Sequence, residues 1–230
     1  MKLFALADLH LSGSVDKPMD VFGPQWDNHH ARIKEAWLDT VGENDLVLIP
    51  GDISWAMQLK DAVTDFETIA ALPGVKLILR GNHDYWWNSL SKVRAILPPG
   101  IHALQNDAFI RGDIAIAGSR GWPCPGSIGF DEKEDRPIYE REVIRMGLSL
   151  SKVPAGKTTV CMMHYPPFNE RRKPSGFTEL FEQHKVKHVI YGHLHGKACK
   201  NAFEGEREGI QYSLCSADHL EFKPKLILET

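Results

Sequence analysis

An α/β fold is predicted for this chain, and three observations predict it. Apolar runs of strand length alternate with helix-period patterns through the first half of the sequence. After Leu97 the pattern changes to short alternating runs that read as a second sheet. Polar, metal-competent residues follow directly on one expected strand after another. With 230 residues, 43% of them hydrophobic, the chain can bury a sizeable core, and a single domain over residues 1–230 is expected.

The elements follow in order. KLFALA opens the chain as a first strand, and LVLIP at 46–50 and VKLILR at 75–80 are unbroken apolar runs of the kind found in fully buried strands. A helix starting near Asp27 separates the first two, with Trp26, His30, Ile33, Trp37 and Val41 on one stripe and Gly42 as its stop. Leu59, Ala62, Val63, Phe66, Ile69 and Ala70 recur at helical spacing before Pro73-Gly74, and another helix begins near Asn88 or Ser89. HALQNDAFIRGDIAIAGS then reads as antiparallel strands turning at Arg111-Gly112-Asp113, where the second sheet begins. Tyr139, Val143, Met146, Leu150 and Val153 mark a helix, and TTVCMMH at 158–164 a strand. Phe177, Leu180, Phe181 and His184 mark a short helix, followed by a strand in KHVIYGH at 187–193. Alternation at Ile210, Tyr212 and Leu214, and again at Leu226 and Leu228, gives two half-buried strands. The Gly/Pro-rich stretch 121–137 is read as an insertion at the edge of a site.

A net charge of −3 gives no basic footprint, which argues against tight non-specific nucleic-acid binding. The opening residues lack the apolar core of a signal peptide, no run approaches the ~20 apolar residues of a membrane span, and the cysteines form no CxxC pair. A soluble, cytoplasmic protein with reduced thiols is expected.

The chemistry sits at the strand ends. KLFALA is followed by Asp8 and His10, LVLIP by Asp52, VKLILR by Asn82, His83 and Asp84, TTVCMM by His164, and HVIY by His193 and His195. Loops at the carboxyl ends of strands line the crevice of open α/β sheets, so these groups are expected to converge. Carboxylates, imidazoles and one amide, without a thiolate, suit a borderline divalent ion such as Mn, Fe or Zn. With His83 and Asp84 set aside, the remaining seven exceed the needs of one tetrahedral site and match two ions that share a carboxylate, an arrangement suited to phosphoryl chemistry. In this reading Asn82 offers a neutral oxygen, Gly81 gives the turn room, and His83 faces the substrate.

In order and spacing D-x-H, GD, GNHD, a strand-end His in HYPP, and GHxH resemble the calcineurin-like metallophosphoesterase family from residue 8 to residue 195. The resemblance implies a four-layer α/β/β/α sandwich of two mixed sheets flanked by helices. It implies that Asp8, His10, Asp52 and His195 hold a first metal and that Asp52 (bridging), Asn82, His164 and His193 hold a second. It further implies a metal-bridging hydroxide as nucleophile, His83 as acid or phosphoryl stabiliser, and Asp84 as its orienting partner or a helix cap. GDISWAM places Trp55 where the phosphoprotein phosphatases of this superfamily carry an aspartate, which points away from protein substrates and toward a phosphorylated small molecule, as monoester or diester. A metal-dependent nuclease and a non-catalytic protein-binding scaffold are the alternatives; nucleic acid is not favoured as a partner, and the complete donor set argues against the scaffold. Arg171, Arg172 and Lys173 are candidates for gripping a second phosphate, with Arg120 a longer shot; Trp55, Trp86 and Trp87 are read as packing, and His29 and His30 as lying outside the site.

Overall fold

The computed structural model describes residues 1–230 as two compact units: residues 1–103 with 215–230, and residues 104–214. The chain runs β1 (Lys2–Ala5), α1 (His29–Thr40), β2 (Leu46–Pro50), α2 (Val63–Ala70), β3 (Val75–Leu79), α3 (Leu90–Ile96) and β4 (Ile101–Ala103) in the first unit. It continues through β5 (Ala108–Arg111), β6 (Ile114–Ser119), α4 (Arg136–Leu150), β7 (Thr158–Met163), α5 (Gly176–Gln183), β8 (His188–Tyr191), β9 (Gly205–Arg207) and β10 (Ile210–Leu214) in the second. The final strand, Lys225–Glu229, returns to the first unit.

In the first unit β1, β2, β3 and β4 are parallel neighbours, and the final strand pairs antiparallel with β1. Strands that run the same way in one sheet present their carboxyl ends at one edge, so the loops after β1, β2 and β3 emerge together. β2 is buried along its whole length, as its unbroken apolar run requires. Phe4, Ile33, Trp37, Val47, Ile49, Phe66, Ile78 and Trp86 belong to the core of this unit. The buried stripe of α1 is His29, Ile33 and Trp37, one residue off the expected frame at its start, and Trp26 lies in a separate 3-10 turn before the helix.

β6, β7, β8 and β10 form the parallel centre of the second sheet, with β5 and β9 antiparallel at its edges. Met146, Phe177, Phe181, Val189 and Tyr191 lie in its core. Ser175 closes the amino end of α5 with a reciprocal capping box to Thr178. Two expectations need correction here. The first short strand after Leu97, β4, completes the first sheet beside β3 rather than opening the second. β9 was not anticipated, because a three-residue polar edge strand carries no alternating apolar signal.

Two mixed sheets with helices agree with the calcineurin-like sandwich. No helix is long and apolar enough to cross a membrane.

Trp37 is fully buried and its indole N–H donates to the Pro73 carbonyl at 3.0 Å, so Trp37→Ala should lower the unfolding free energy by about 3–5 kcal/mol. The urea midpoint reads this directly, and a change under about 1 kcal/mol would mean that α1 is not anchored there.

Candidate functional site

The first unit brings Asp8, His10, Asp52, Asn82, His83 and Asp84 onto three adjacent loops. Backbone bonds lace the first two loops together: the Asp8 N–H donates to the Gly51 carbonyl at 3.0 Å, that of His10 to Asp52 at 3.0 Å, and that of Leu11 to Ile53 at 2.9 Å. Asp8, His10 and Asp52 are buried, and all three hold φ in the left-handed region, at 60°, 46° and 52°. Non-glycine residues in such backbone cost on the order of 1–3 kcal/mol each and persist where the surroundings over-determine them. The third loop joins through side chains. The Asp52 carboxylate accepts the His83 N–H at 2.8 Å, and a Cβ on Gly81 would lie 2.1 Å from that same oxygen, so only glycine fits.

Asp84 is the knot of this arrangement. Its carboxylate is fully buried and accepts the N–H groups of Gly81 (2.7 Å), Asp52 (2.9 Å), Ile53 (2.9 Å) and Ser54 (3.3 Å) and the indole N–H of Trp86 (3.0 Å). Burial and the neighbouring Asp52 push this carboxyl up to about 7, while the N–H bonds from Gly81, Ile53 and Ser54 pull it down. The structure gives Asp84 a bracing role. Its oxygens are taken by loop N–H groups rather than by the His83 ring, and Ser89, not Asp84, occupies the N-cap of α3.

Around His10 and His83 the walls are aromatic. Trp55 stacks on His10 with centroids 4.8 Å apart and lies 4.7 Å from the His83 ring. Trp55, Trp86 and Trp87 are all buried, as the packing reading requires. His29 and His30 come closer than expected: each places Nε2 at the His10 carbonyl, at 3.4 and 3.5 Å. Burial, aided by His30, holds His29 down at about 4, so it is neutral near pH 7. Asp65 of α2 is a further residue the sequence reading passed over. It is buried, accepts the Ser54 hydroxyl and, at 2.9 Å, the Gly13 N–H, and so braces the loops after β1 and β2. Its place among Ala62, Phe66 and Ile69 on the apolar stripe was the available signal.

The second unit carries His164, His193 and His195 at the ends of β7 and β8. His164 is fully buried, and its Nε2 lies 3.2 Å from Nδ1 of His193. His193 has φ 72°, again left-handed backbone on a bulky residue. Tyr165 packs its ring 4.1 Å from that of His193. His195 caps the amino end of a 3-10 turn, Gly196–Asn201, through its backbone.

Within each unit the donor spacing fits a divalent ion. Ligand bonds of about 2.0–2.1 Å to one shared cation place neighbouring donor atoms roughly 3 Å apart, close to the His164–His193 separation. His10 Nε2 and Asp52 Oδ2, 3.9 Å apart, are spaced for the same role.

Comparison with known proteins settles the family. The family model described as calcineurin-like phosphoesterase matches residues 1–197. The chain is a calcineurin-like phosphoesterase. Among curated proteins, this phosphoesterase is 23% identical over 189 residues to the Gene 66 protein of Mycobacterium phage L5, covering 82% of this chain and 75% of that one. Among solved structures it is similar to a phosphopantetheinyl hydrolase, PptH, from Mycobacterium tuberculosis, with TM-score 0.60, 11% identity, and 100% and 96% of the two chains covered. A protein of unknown function from Aquifex aeolicus is similar too, with TM-score 0.52, 18% identity, and coverage of 98% and 95%. At these identities the structures speak for the fold alone. As a member of this family the phosphoesterase is a metal-dependent hydrolase of phosphoesters.

Asp84→Asn should lower the unfolding free energy by about 2 kcal/mol or more, because an amide N–H₂ would then face backbone donors. Chemical denaturation with parallel turnover assays checks this. Unchanged stability with lost turnover would return Asp84 to the role of orienting His83.

Proposed function

We propose that this phosphoesterase hydrolyses a phosphorylated small molecule, as monoester or diester, using two divalent ions of the Mn, Fe or Zn type, with residues 1–230 acting as a single domain in the cytoplasm. The observation that carries the reading is the complete donor set at strand ends, with the imidazole nitrogens of His164 and His193 already 3.2 Å apart. Asp8, His10, Asp52 and His195 hold one ion in this proposal, and Asp52, Asn82, His164 and His193 the other. Two bound ions supply Lewis acidity toward a phosphoryl oxygen and lower the pKa of a bound water to about 7.

The chain's own residues do the rest. The Asp52 carboxylate accepts the His83 N–H on Oδ1, which orients it toward the site. His83 Nδ1 is buried, which leaves Nε2 as the nitrogen to deliver a proton to the leaving oxygen or to hold charge on the transferring phosphoryl group. The Trp55 ring packs beside that imidazole, with centroids 4.7 Å apart. Trp55 also stands where a second acidic partner would favour phosphoprotein chemistry, which supports a small substrate. The four cysteines are free thiols, in keeping with a reducing compartment.

Purified protein should bind about two divalent ions per chain, read by elemental mass spectrometry, and hydrolyse p-nitrophenyl phosphate or bis(p-nitrophenyl) phosphate with added Mn. Absence of turnover with every first-row metal would overturn the enzymatic reading in favour of a scaffold. His83→Asn should reduce kcat by about 10²- to 10⁴-fold with metal content intact. Equal loss of metal and turnover would make His83 a structural or ligand residue instead.

A further inference from the structure

The exposed apolar side chains of the first unit are unevenly placed. Its large exposed hydrophobics are Val21, Phe22, Leu38, Met57, Tyr85 and Leu226. Leu38 lies on α1 and Leu226 on the final strand, but Val21 and Phe22 lie on the loop after β1, Met57 on that after β2 and Tyr85 on that after β3. Four of the six therefore share the loops that carry Asp8, His10, Asp52, Asn82 and His83. Single exposed hydrophobics need no explanation, whereas their concentration on the loops that hold the chemistry points to apolar matter bound there.

Among the four, Tyr85 touches that chemistry directly. Its ring is 53% exposed and lies 6.1 Å from the His83 ring at 77°, edge to face. His10 and Trp55 also place rings against His83, at 5.9 and 4.7 Å, but both of these are buried. Tyr85 thus offers solvent-facing ring surface beside the imidazole.

The ring stands on a fixed stem. The Tyr85 N–H donates to the His83 carbonyl at 2.8 Å, and the Trp87 N–H donates to the Asp84 carbonyl at 3.1 Å. Between them Trp86 is fully buried, with its indole N–H on the Asp84 carboxylate at 3.0 Å and its ring 5.0 Å from that of Phe66. With the backbone set in this way, a tyrosine has only two side-chain torsions left to lose, so it supplies contact area at low entropic cost. A phenol ring pairs best with another flat group, by offset stacking or edge-to-face contact.

We propose that Tyr85 is a specificity-determining residue: its exposed ring receives a flat, ring-bearing leaving group and so places the leaving oxygen at His83. The substrate class narrows accordingly, to phosphoesters of an alcohol that carries an aromatic or heteroaromatic ring close to the scissile bond. The proposal rests on the reading of His83 as the residue that faces the leaving oxygen.

The test compares wild type with Tyr85→Phe, Tyr85→Ala and Tyr85→Leu, all metal-loaded. Calorimetry reads the affinities for phenylphosphonate and methylphosphonate, neither of which is hydrolysed. Metal content, thermal midpoint, and kcat and KM for p-nitrophenyl phosphate and glycerol phosphate are measured alongside. Wild type should bind phenylphosphonate about tenfold more tightly than methylphosphonate, Tyr85→Phe should preserve that ratio, and Tyr85→Ala should abolish it, with the change falling mainly on phenylphosphonate. In Tyr85→Ala the ratio of kcat/KM between p-nitrophenyl phosphate and glycerol phosphate should fall about tenfold as well. Tyr85→Leu keeps bulk without a flat face and carries the same test should the alanine variant fold poorly. An unchanged phosphonate ratio in folded, metal-loaded Tyr85→Ala or Tyr85→Leu overturns the role of Tyr85. Equal loss for both phosphonates also overturns it and makes the ring a support for His83. A wild type that binds both phosphonates without turnover overturns the enzymatic reading, and the phosphonate ratio still decides Tyr85. A wild type that binds neither overturns both.

Discussion

A buried carboxylate surrounded by N–H donors is the constraint from which the first unit's site follows. Asp84 gathers the backbone of two loops, those after β2 and β3, onto its two oxygens. Each bond alone is worth about 1 kcal/mol, but leaving any of the donors unmet in a buried place costs more than that, so the set is cooperative. The loops cannot drift apart without stranding several polar groups at once. The Asp52 and Asn82 side chains inherit that rigidity, since each lies on a segment the carboxylate holds.

The second unit reaches a comparable rigidity by a different route. His164 is immobilised by burial and by the Arg120 carbonyl, and His193 by left-handed backbone and by Tyr165 stacked against its ring. Both units thus spend stability on unfavourable backbone at donor positions: Asp8, His10 and Asp52 in one, and His193 in the other. In the proposed metal site, donors fixed before an ion arrives would give up little entropy on binding it.

Much of this arrangement was legible in the chain. β2 occupies 46–50 and β3 begins at 75, because unbroken apolar runs leave a buried strand no other register. The room that Gly81 makes was readable from its place between strand and donors. The features that escaped share a cause: they depend on what a short segment pairs with. β4 shows an alternating burial pattern that fits either sheet, and only its parallel pairing with β3 decides. With two consecutive histidines opening α1, a one-residue change of frame is invisible to composition. Asp84 and Asp65 look like a turn residue and a surface acid until the donors that surround them are placed.

The order of the chain has its own consequence. Residues 104–214 of the second unit are contiguous, whereas the first unit is made of 1–103 and 215–230. β1 takes its antiparallel neighbour from Lys225–Glu229, and the Ala7 N–H bonds the Cys215 carbonyl at 2.7 Å. During translation from the amino end, the inserted unit has all its strands before the outer one can close. Until Lys225–Glu229 is made, the first sheet has an open edge along β1, and that strand is the one that closes it.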